Sequence, residues 1–361
     1  MSDGCDDRPM PSLSEPLADH VEAAFERVPG HLDTATAGLP SRATLAALHE
    51  ALGQWAAGAL DAPAFDADVQ RCRAAFAALA GVPAGSVAIG SQVSAFAGVV
   101  AASLPANARV LCAEGDFTSV LWPFLAQAGR GVTVRCVPLE ELPEALDAAT
   151  DLVAVSSVMS ADGRVADLDA LAAAATHHGA RVFLDVTQGC GWQELGGDRF
   201  DYVAAGAYKW LLSPRGVALW AVRPDALEPL VPQAAGWYAG EEPWESCYGA
   251  PIRLAAGARR LDVSPAWLCW AGAAPALELL AGIGVPEIGA HDLALASRLR
   301  RGLGQAEPVR PSPIVVTERP DAAARLAAAG VRASVRAGQV RLSCHLTSTV
   351  ADVDRALEAL G

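Results

Sequence analysis

Short apolar runs alternate with longer Ala/Leu-rich stretches of helical periodicity through the middle of the chain. The runs at 86–89, 109–112, 132–137, 151–156, 181–185, 202–205 and 217–222 predict strands. Most are apolar without a polar alternation, which predicts a mostly parallel sheet with both faces covered. Leu168–His178 has helical spacing and is followed by Gly179, a natural C′ residue. Gly90-Ser91-Gln92 stands where the first strand hands over to a helix. The pattern changes after Pro224. A Trp/Tyr/Gly/Pro-rich stretch over 233–251 predicts irregular backbone, and two helices follow over 266–282 and 287–303. The tail reads as a strand (313–317), a helix (321–329), two strands (331–335 and 339–344) turning at Ala337-Gly338, and a last helix, Val350–Leu360. That is a separate α+β unit.

Composition narrows the class. With 361 residues, 52% hydrophobic and 19% charged, the chain is globular and long enough for two cores. A net charge of −14 argues against nucleic acid and anionic membrane as partners. The start, Met-Ser-Asp-Gly-Cys-Asp-Asp, is unlike a secretory signal, and the apolar stretch 95–104 is too short to span a bilayer. Eight scattered cysteines form no Cys-x-x-Cys pair and no cluster with the seven histidines, so no metal site is expected. Reduced thiols and a cytoplasmic setting are the expectation.

Lys209 is the only lysine; every other one of the 27 basic residues is arginine. Arginine serves a solvated surface equally well, but only an amine can lose its proton and form a Schiff base with a carbonyl. The lysine lies in Ala-Gly-Ala-Tyr-Lys-Trp-Leu-Leu-Ser-Pro-Arg-Gly (205–216), a poor place for an idle ammonium. Asp185 closes the strand Val182-Phe183-Leu184, at the sheet edge where ligands of open α/β sheets collect, with Gln188 three residues on. An Asp there also serves as an ordinary helix N-cap. Ser91 and Gln92, at a helix N-terminus, suit an anion such as phosphate. Phosphate cradle, carboxylate and amine at neighbouring strand ends are what pyridoxal 5'-phosphate requires.

Asp-Val-Thr-Gln-Gly (185–189) with Gly-Ala-Tyr-Lys-Trp-Leu-Leu-Ser-Pro-Arg-Gly (206–216) resembles the class V aminotransferase family of fold-type I pyridoxal phosphate enzymes. That family includes cysteine desulfurases, kynureninases and isopenicillin N epimerase-like proteins. His-Leu-Asp-Thr-Ala-Thr-Ala-Gly-Leu-Pro (31–40), Val-Arg-Leu-Ser-Cys-His-Leu (340–346) and Ala-Asp-Val-Asp (351–354) extend the resemblance over nearly the whole chain. It implies a large α/β domain over 50–235, with a small α+β domain from 1–49 and 236–361. It also implies a homodimer acting on an amino acid. By position, Lys209 matches the Schiff-base lysine, Asp185 the partner of the pyridine nitrogen, and Gln188 the neighbour of the ring hydroxyl. Ser91 and Gln92 match the phosphate turn, and Phe117 the stacking ring. Tyr208 resembles a tyrosine that reaches the phosphate. Trp237 and Ser264 align with groups that approach the phosphate, Ser264 from the second subunit. Arg341 matches the arginine that grips the substrate α-carboxylate, a task suited to a guanidinium fork.

The departures bear on the reaction. The segment Ala333–Gln339 holds no cysteine where a desulfurase carries its nucleophile, and Cys344 lies beyond it. Ser157 and Ser160 stand where the family often has histidine and asparagine. Ergothioneine-pathway lyases carry an N-terminal signature different from Thr34-Ala35-Thr36-Ala37-Gly38. Transamination, which needs no extra catalytic group, is the expected reaction. A β-eliminating C–S lyase is the alternative, followed by an epimerase or a non-catalytic scaffold. A Rossmann dehydrogenase is disfavoured, because no Gly-x-Gly-x-x-Gly follows an early strand.

Overall fold

The computed structural model describes residues 15–361; Cys5 and the acidic start of the chain lie outside the described residues. Seven strands form one sheet: β1 (Val87–Gly90), β2 (Arg109–Ala113), β3 (Thr133–Val137), β4 (Leu152–Ser156), β5 (Arg181–Asp185), β6 (Tyr202–Gly206) and β7 (Ala218–Val222), in the order β1-β7-β6-β5-β4-β2-β3. β2 to β6 are mutually parallel, and β7 is antiparallel to both β6 and β1. Two reversals cancel, so β1 runs in the same direction as β2–β6. Gly90, Ser156, Asp185 and Gly206 therefore end their strands on one edge.

The absence of polar alternation has the expected cause. Successive residues of the central strands feed two different cores: Val182 and Leu184 one, Phe183 the other. Phe96 stacks on Trp220 at 4.9 Å in the second of these layers. β3, at the sheet edge, is the exception and stays largely exposed. The first core also draws on Phe25 and Ala35 from the N-terminal side and on Trp270, Leu277 and Ile288 from beyond 235. Residues from both sides of 50 and 235 thus share this packed layer.

A second sheet, ordered β8-β10-β9, is built from β8 (Ile314–Thr317), β9 (Ser334–Arg336) and β10 (Gln339–Ser343) and is antiparallel throughout. The hairpin turns at Ala337-Gly338 as expected, with both residues at positive φ. The strand before it is shorter and later than the pattern over 331–335 predicts. Arg332 explains the difference: its N–H donates to Gly30 O and its carbonyl accepts from Leu32 N, so its backbone pairs with the N-terminal segment instead. That segment continues along β10, where Ser343 N donates to Leu32 O and Ser343 Oγ accepts from Ala35 N. It then reaches the large sheet, Gly38 N donating to Tyr208 O at 3.0 Å. A Cβ on Gly38 would collide with Lys209 O, so only glycine lets the backbone pass this close to the lysine.

No single helix among the described residues is long and apolar enough to cross a membrane.

Candidate active site

A cavity of about 360 Å³, within the range of small-molecule sites, opens at the shared strand edge. Ser91, Gln92, Phe117, Asp185, Gln188, Tyr208 and Lys209 all line it. Seven residues spread over more than a hundred positions meet there because parallel strands place their C-terminal ends side by side.

Ser91 and Gln92 follow β1, and Gln92 is the N-cap of the Val93–Ser103 helix. The free N–H groups of that first turn, with the Ser91 hydroxyl, turn this end of the cavity into a cluster of donors of the kind that suits an anion. Asp185 is 5% exposed and accepts from Thr187 N at 2.8 Å. Burial pushes its carboxyl up to about 6 against the pull of that hydrogen bond.

Lys209 is 6% exposed, with its Nζ 5.6 Å from the ring centroids of both Phe117 and Tyr208. Burial pulls its amine down to about 8; Asp185 opposes this, while Arg341, Arg336 and Arg215 reinforce it. Roughly a tenth of an amine with that pKa is neutral at pH 7, against well under a thousandth for an ordinary lysine. The same burial makes a stability prediction for the apoprotein. Below pH 8 the amine is charged in both folded and unfolded chains, so the fold carries the full cost of burying the charge. Above pH 8 the folded amine sheds its proton first, and the cost fades until the unfolded chain follows near 10.5. Lys209→Met therefore stabilises the apoprotein at pH 7, by on the order of 3 kcal/mol. Thermal melts across pH 7–11 should show the gain vanish at the alkaline end; a gain independent of pH contradicts a charged buried amine.

Gln188 is held from several sides. Its Oε1 accepts from Trp210 Nε1 at 2.7 Å, and its backbone carbonyl accepts from Trp192 Nε1 at 2.7 Å. An indole N–H only donates, which fixes the amide orientation and turns Nε2 toward Ser160 Oγ and Ala35 O, each at 3.1 Å. Phe117 is 46% exposed, and its backbone N–H donates to Asp116 Oδ1 at 2.6 Å. Asp116 also takes the N–H and hydroxyl of Ser156, which ties the Phe117 turn to the end of β4.

Arg341 does not line the cavity but stands directly behind it, 1% exposed. Its guanidinium donates to Ser160 O, to Ser160 Oγ at 3.2 Å and to Thr36 Oγ1 at 2.8 Å. Its Nε is buried without a partner among the described residues. Burial, then the nearby Arg336, pulls its pKa down to about 10.

Trp237 and Ser264 are not brought into this cavity. Trp237 is half-buried against Trp244 and Tyr238, with ring centroids at 4.7 and 5.2 Å. Ser264 is exposed on its own chain, two residues past Asp262, whose carboxylate is pinned by Arg73 and by Ile89 N. Sequence reasoning missed Thr36, Asp116, Ser156, Thr187, Arg215 and Arg336 as residues of this site. Arg215 stands on the Tyr208 ring at 5.0 Å, and Arg336 donates to Thr36 Oγ1 at 3.2 Å. Arg215, Thr187 and Thr36 carried a local signal, being inside segments that surround the lysine, follow Asp185 or open the family resemblance.

The sheet, the second antiparallel unit and the cavity define the α/β architecture of fold-type I pyridoxal phosphate enzymes. The chain belongs to the aminotransferase class-V family, whose sequence profile matches residues 34–334; the family depends on pyridoxal 5'-phosphate. It is 33% identical over 228 residues to the uncharacterized aminotransferase YcbU of Bacillus subtilis (strain 168), covering 60% of each chain. It is 34% identical over 232 residues to the probable hercynylcysteine sulfoxide lyase of Mycobacterium tuberculosis (strain CDC 1551 / Oshkosh), covering 59% of this chain and 56% of that one. The matches thus span a little under two thirds of these relatives. The cystine C–S lyase C-DES, solved with its product cysteine persulfide, shares the fold with a TM-score of 0.81 at 22% identity, over 92% of this chain and 97% of that one.

The residues present fit the cofactor. A buried amine faces the cavity with no hydrogen bond among the described residues to hold it, between two aromatic rings and beside a buried carboxylate.

Proposed function

We propose that the protein transfers the amino group of an amino acid, with Lys209 as the covalent and proton-moving residue. The observation that carries this reading is the Lys209 amine, buried, unpartnered among the described residues and pulled down to about 8, in a cavity that also holds Asp185. When bound, pyridoxal 5'-phosphate supplies an aldehyde and an electron-withdrawing ring that lets the Cα proton of an amino acid leave.

The chain supplies the rest. Lys209 Nζ would hold the aldehyde carbon covalently, and as a free amine Lys209 would take up the Cα proton and deliver it elsewhere. Asp185 would hold a negative charge against the ring nitrogen, where a cation favours its ionised form. Ser91, Gln92 and the helix N-terminus hold the phosphate, with Tyr208 alongside. Phe117 would cover one face of the ring, and Gln188 would lie beside the ring hydroxyl. Arg341 grips the substrate α-carboxylate, exchanging bonds to Ser160 and Thr36 for a bidentate pair. Trp122, Ile252 and Tyr248 are 63%, 74% and 94% exposed, apolar surface that supports association with a second copy of the chain.

Transamination fits this constellation because one amine performs every proton transfer. β-Elimination from a sulfur-bearing amino acid is the second reading, supported by relatives named as lyases. Either way, persulfide chemistry lacks its nucleophile. No cysteine among the described residues lines the cavity, and Cys344 is wholly buried, its thiol pushed up by that burial.

The test is a spectrum of the holoprotein before and after borohydride, then peptide mapping. A visible band fixed by reduction onto Lys209 is the expected result; a protein that takes up no pyridoxal phosphate contradicts the reading. Screening amino acids then separates the reactions. Keto acid formed with loss of the visible band marks transamination, and a released thiol or sulfenate with pyruvate marks elimination.

A further inference from the structure

His345 lies two residues past β10, wholly buried together with Asp292 of the Val285–Gly302 helix. Its Nδ1 is 2.7 Å from Asp292 Oδ2, and its Nε2 is 3.0 Å from the carbonyl oxygen of Trp210, the residue after the lysine. A carbonyl only accepts, and an ionised carboxylate only accepts. A neutral imidazole has a single N–H and cannot serve both. The two contacts together thus require one proton more than a neutral ring facing an ionised carboxylate, shared between Asp292 and His345. Burial raises the Asp292 carboxyl, and its other oxygen is buried without a partner among the described residues; both favour keeping that proton on the pair. The titratable groups facing the pair are His291, which bonds Ser348 O at 3.2 Å, together with His31 and Cys344.

The consequence runs onward through Trp210. Its indole stands edge-on to the imidazole at 5.1 Å, and its Nε1–H orients Gln188 Oε1. Gln188 Nε2 bonds Ser160 Oγ, which accepts from Arg341. β10 and the residues just after it therefore grip the large sheet twice, through Arg341 and through His345, and Gln188 joins the two grips.

We propose that His345, protonated in partnership with Asp292, is a positioning residue that sets the orientation of Trp210 and Gln188 beside Lys209. The kinetic arm of its test rests on the function proposed above; the spectroscopic arm does not.

The indole N–H signals of the ¹⁵N-labelled apoprotein are recorded first, with the Trp210 signal assigned through Trp210→Phe. His345→Ala is expected to shift that signal and to lower its protection from solvent exchange at least tenfold. Asp292→Asn is expected to preserve it. An Asn amide N–H donates to Nδ1 of a neutral ring, leaving Nε2–H for Trp210 without the extra proton. His345→Phe, which fills the space without the bond, should behave like His345→Ala. In the holoenzyme, kcat should fall on the order of 10- to 100-fold for His345→Ala, the range seen when a partner of a functional group is removed. KM should move less, and Asp292→Asn should stay near wild type. If His345→Ala does not fold, His345→Phe, which fills the space, carries the comparison with Asp292→Asn. An unchanged Trp210 signal in His345→Ala, or recovery of signal and kcat in His345→Phe, overturns the proposal. A holoprotein with no visible band would instead defeat the proposed function and leave the indole result standing.

Discussion

Lys209→Arg should leave a folded protein whose turnover falls by about 10³-fold or more, the scale of losing both covalent and acid–base catalysis. Arginine keeps the charge and most of the length, so the comparison isolates what only an amine can do. The guanidinium neither bonds an aldehyde nor loses its proton at neutral pH. Borohydride treatment should leave residue 209 unlabelled, while the phosphate end of the cavity, at Ser91 and Gln92, still retains the cofactor non-covalently. Single-turnover kinetics with an amino acid that is active on the wild type measures the loss directly. Turnover within tenfold of wild type would remove Lys209 from the mechanism and return the chain to the scaffold reading.

The second large effect is expected at Asp185. Asp185→Asn keeps an oxygen to accept Thr187 N–H at the 2.8 Å distance, so the end of β5 should hold its shape. What disappears is the buried negative charge. A preorganised charge aimed at a group that becomes cationic is worth on the order of 10²- to 10³-fold in kcat when removed. Asp185→Asn should lose that much, with KM moving far less, because in the proposed role the carboxylate serves the ring and not the substrate carboxylate. A cofactor analogue methylated on the ring nitrogen, and so permanently cationic, should return part of the loss in the variant. If Asp185→Asn keeps wild-type kcat, or the methylated analogue helps wild type and variant alike, Asp185 is a structural cap and nothing more.

Much of the site was legible because its chemistry is local. Asp185 closes an apolar strand, Lys209 follows another, and each is conspicuous against its immediate neighbours. The contributors that were missed have no such contrast. Thr36 is an ordinary residue in a small-residue segment, and it reaches Arg341 only because chain 305 positions away folds back over it. Ser156 reads as the last residue of a strand until the fold brings Asp116 onto its N–H and hydroxyl. Asp116 reads as a surface loop acid until the closure of Phe117 onto β4 buries it. The shift of β9 has the same origin: the pattern over 331–335 is strand-like, but the N-terminal segment claims the Arg332 backbone. Trp237 and Ser264 were read from alignment with a family pattern, and within one chain neither lines the cavity.

The sequence by itself determined the elements and the reactive pair. Strand and helix periods are set by side chains a few residues apart, and a carboxylate at one strand end with an amine past another follows from counting along the chain. Only the tertiary structure decided the environment that makes those groups reactive. The low pKa of Lys209, the raised one of Asp185, the fixed amide of Gln188 and the grip of His345 on Trp210 all depend on burial and on hydrogen bonds between distant segments. Desolvation and hydrogen-bond direction are properties of positions in space, and no spacing along the chain encodes them.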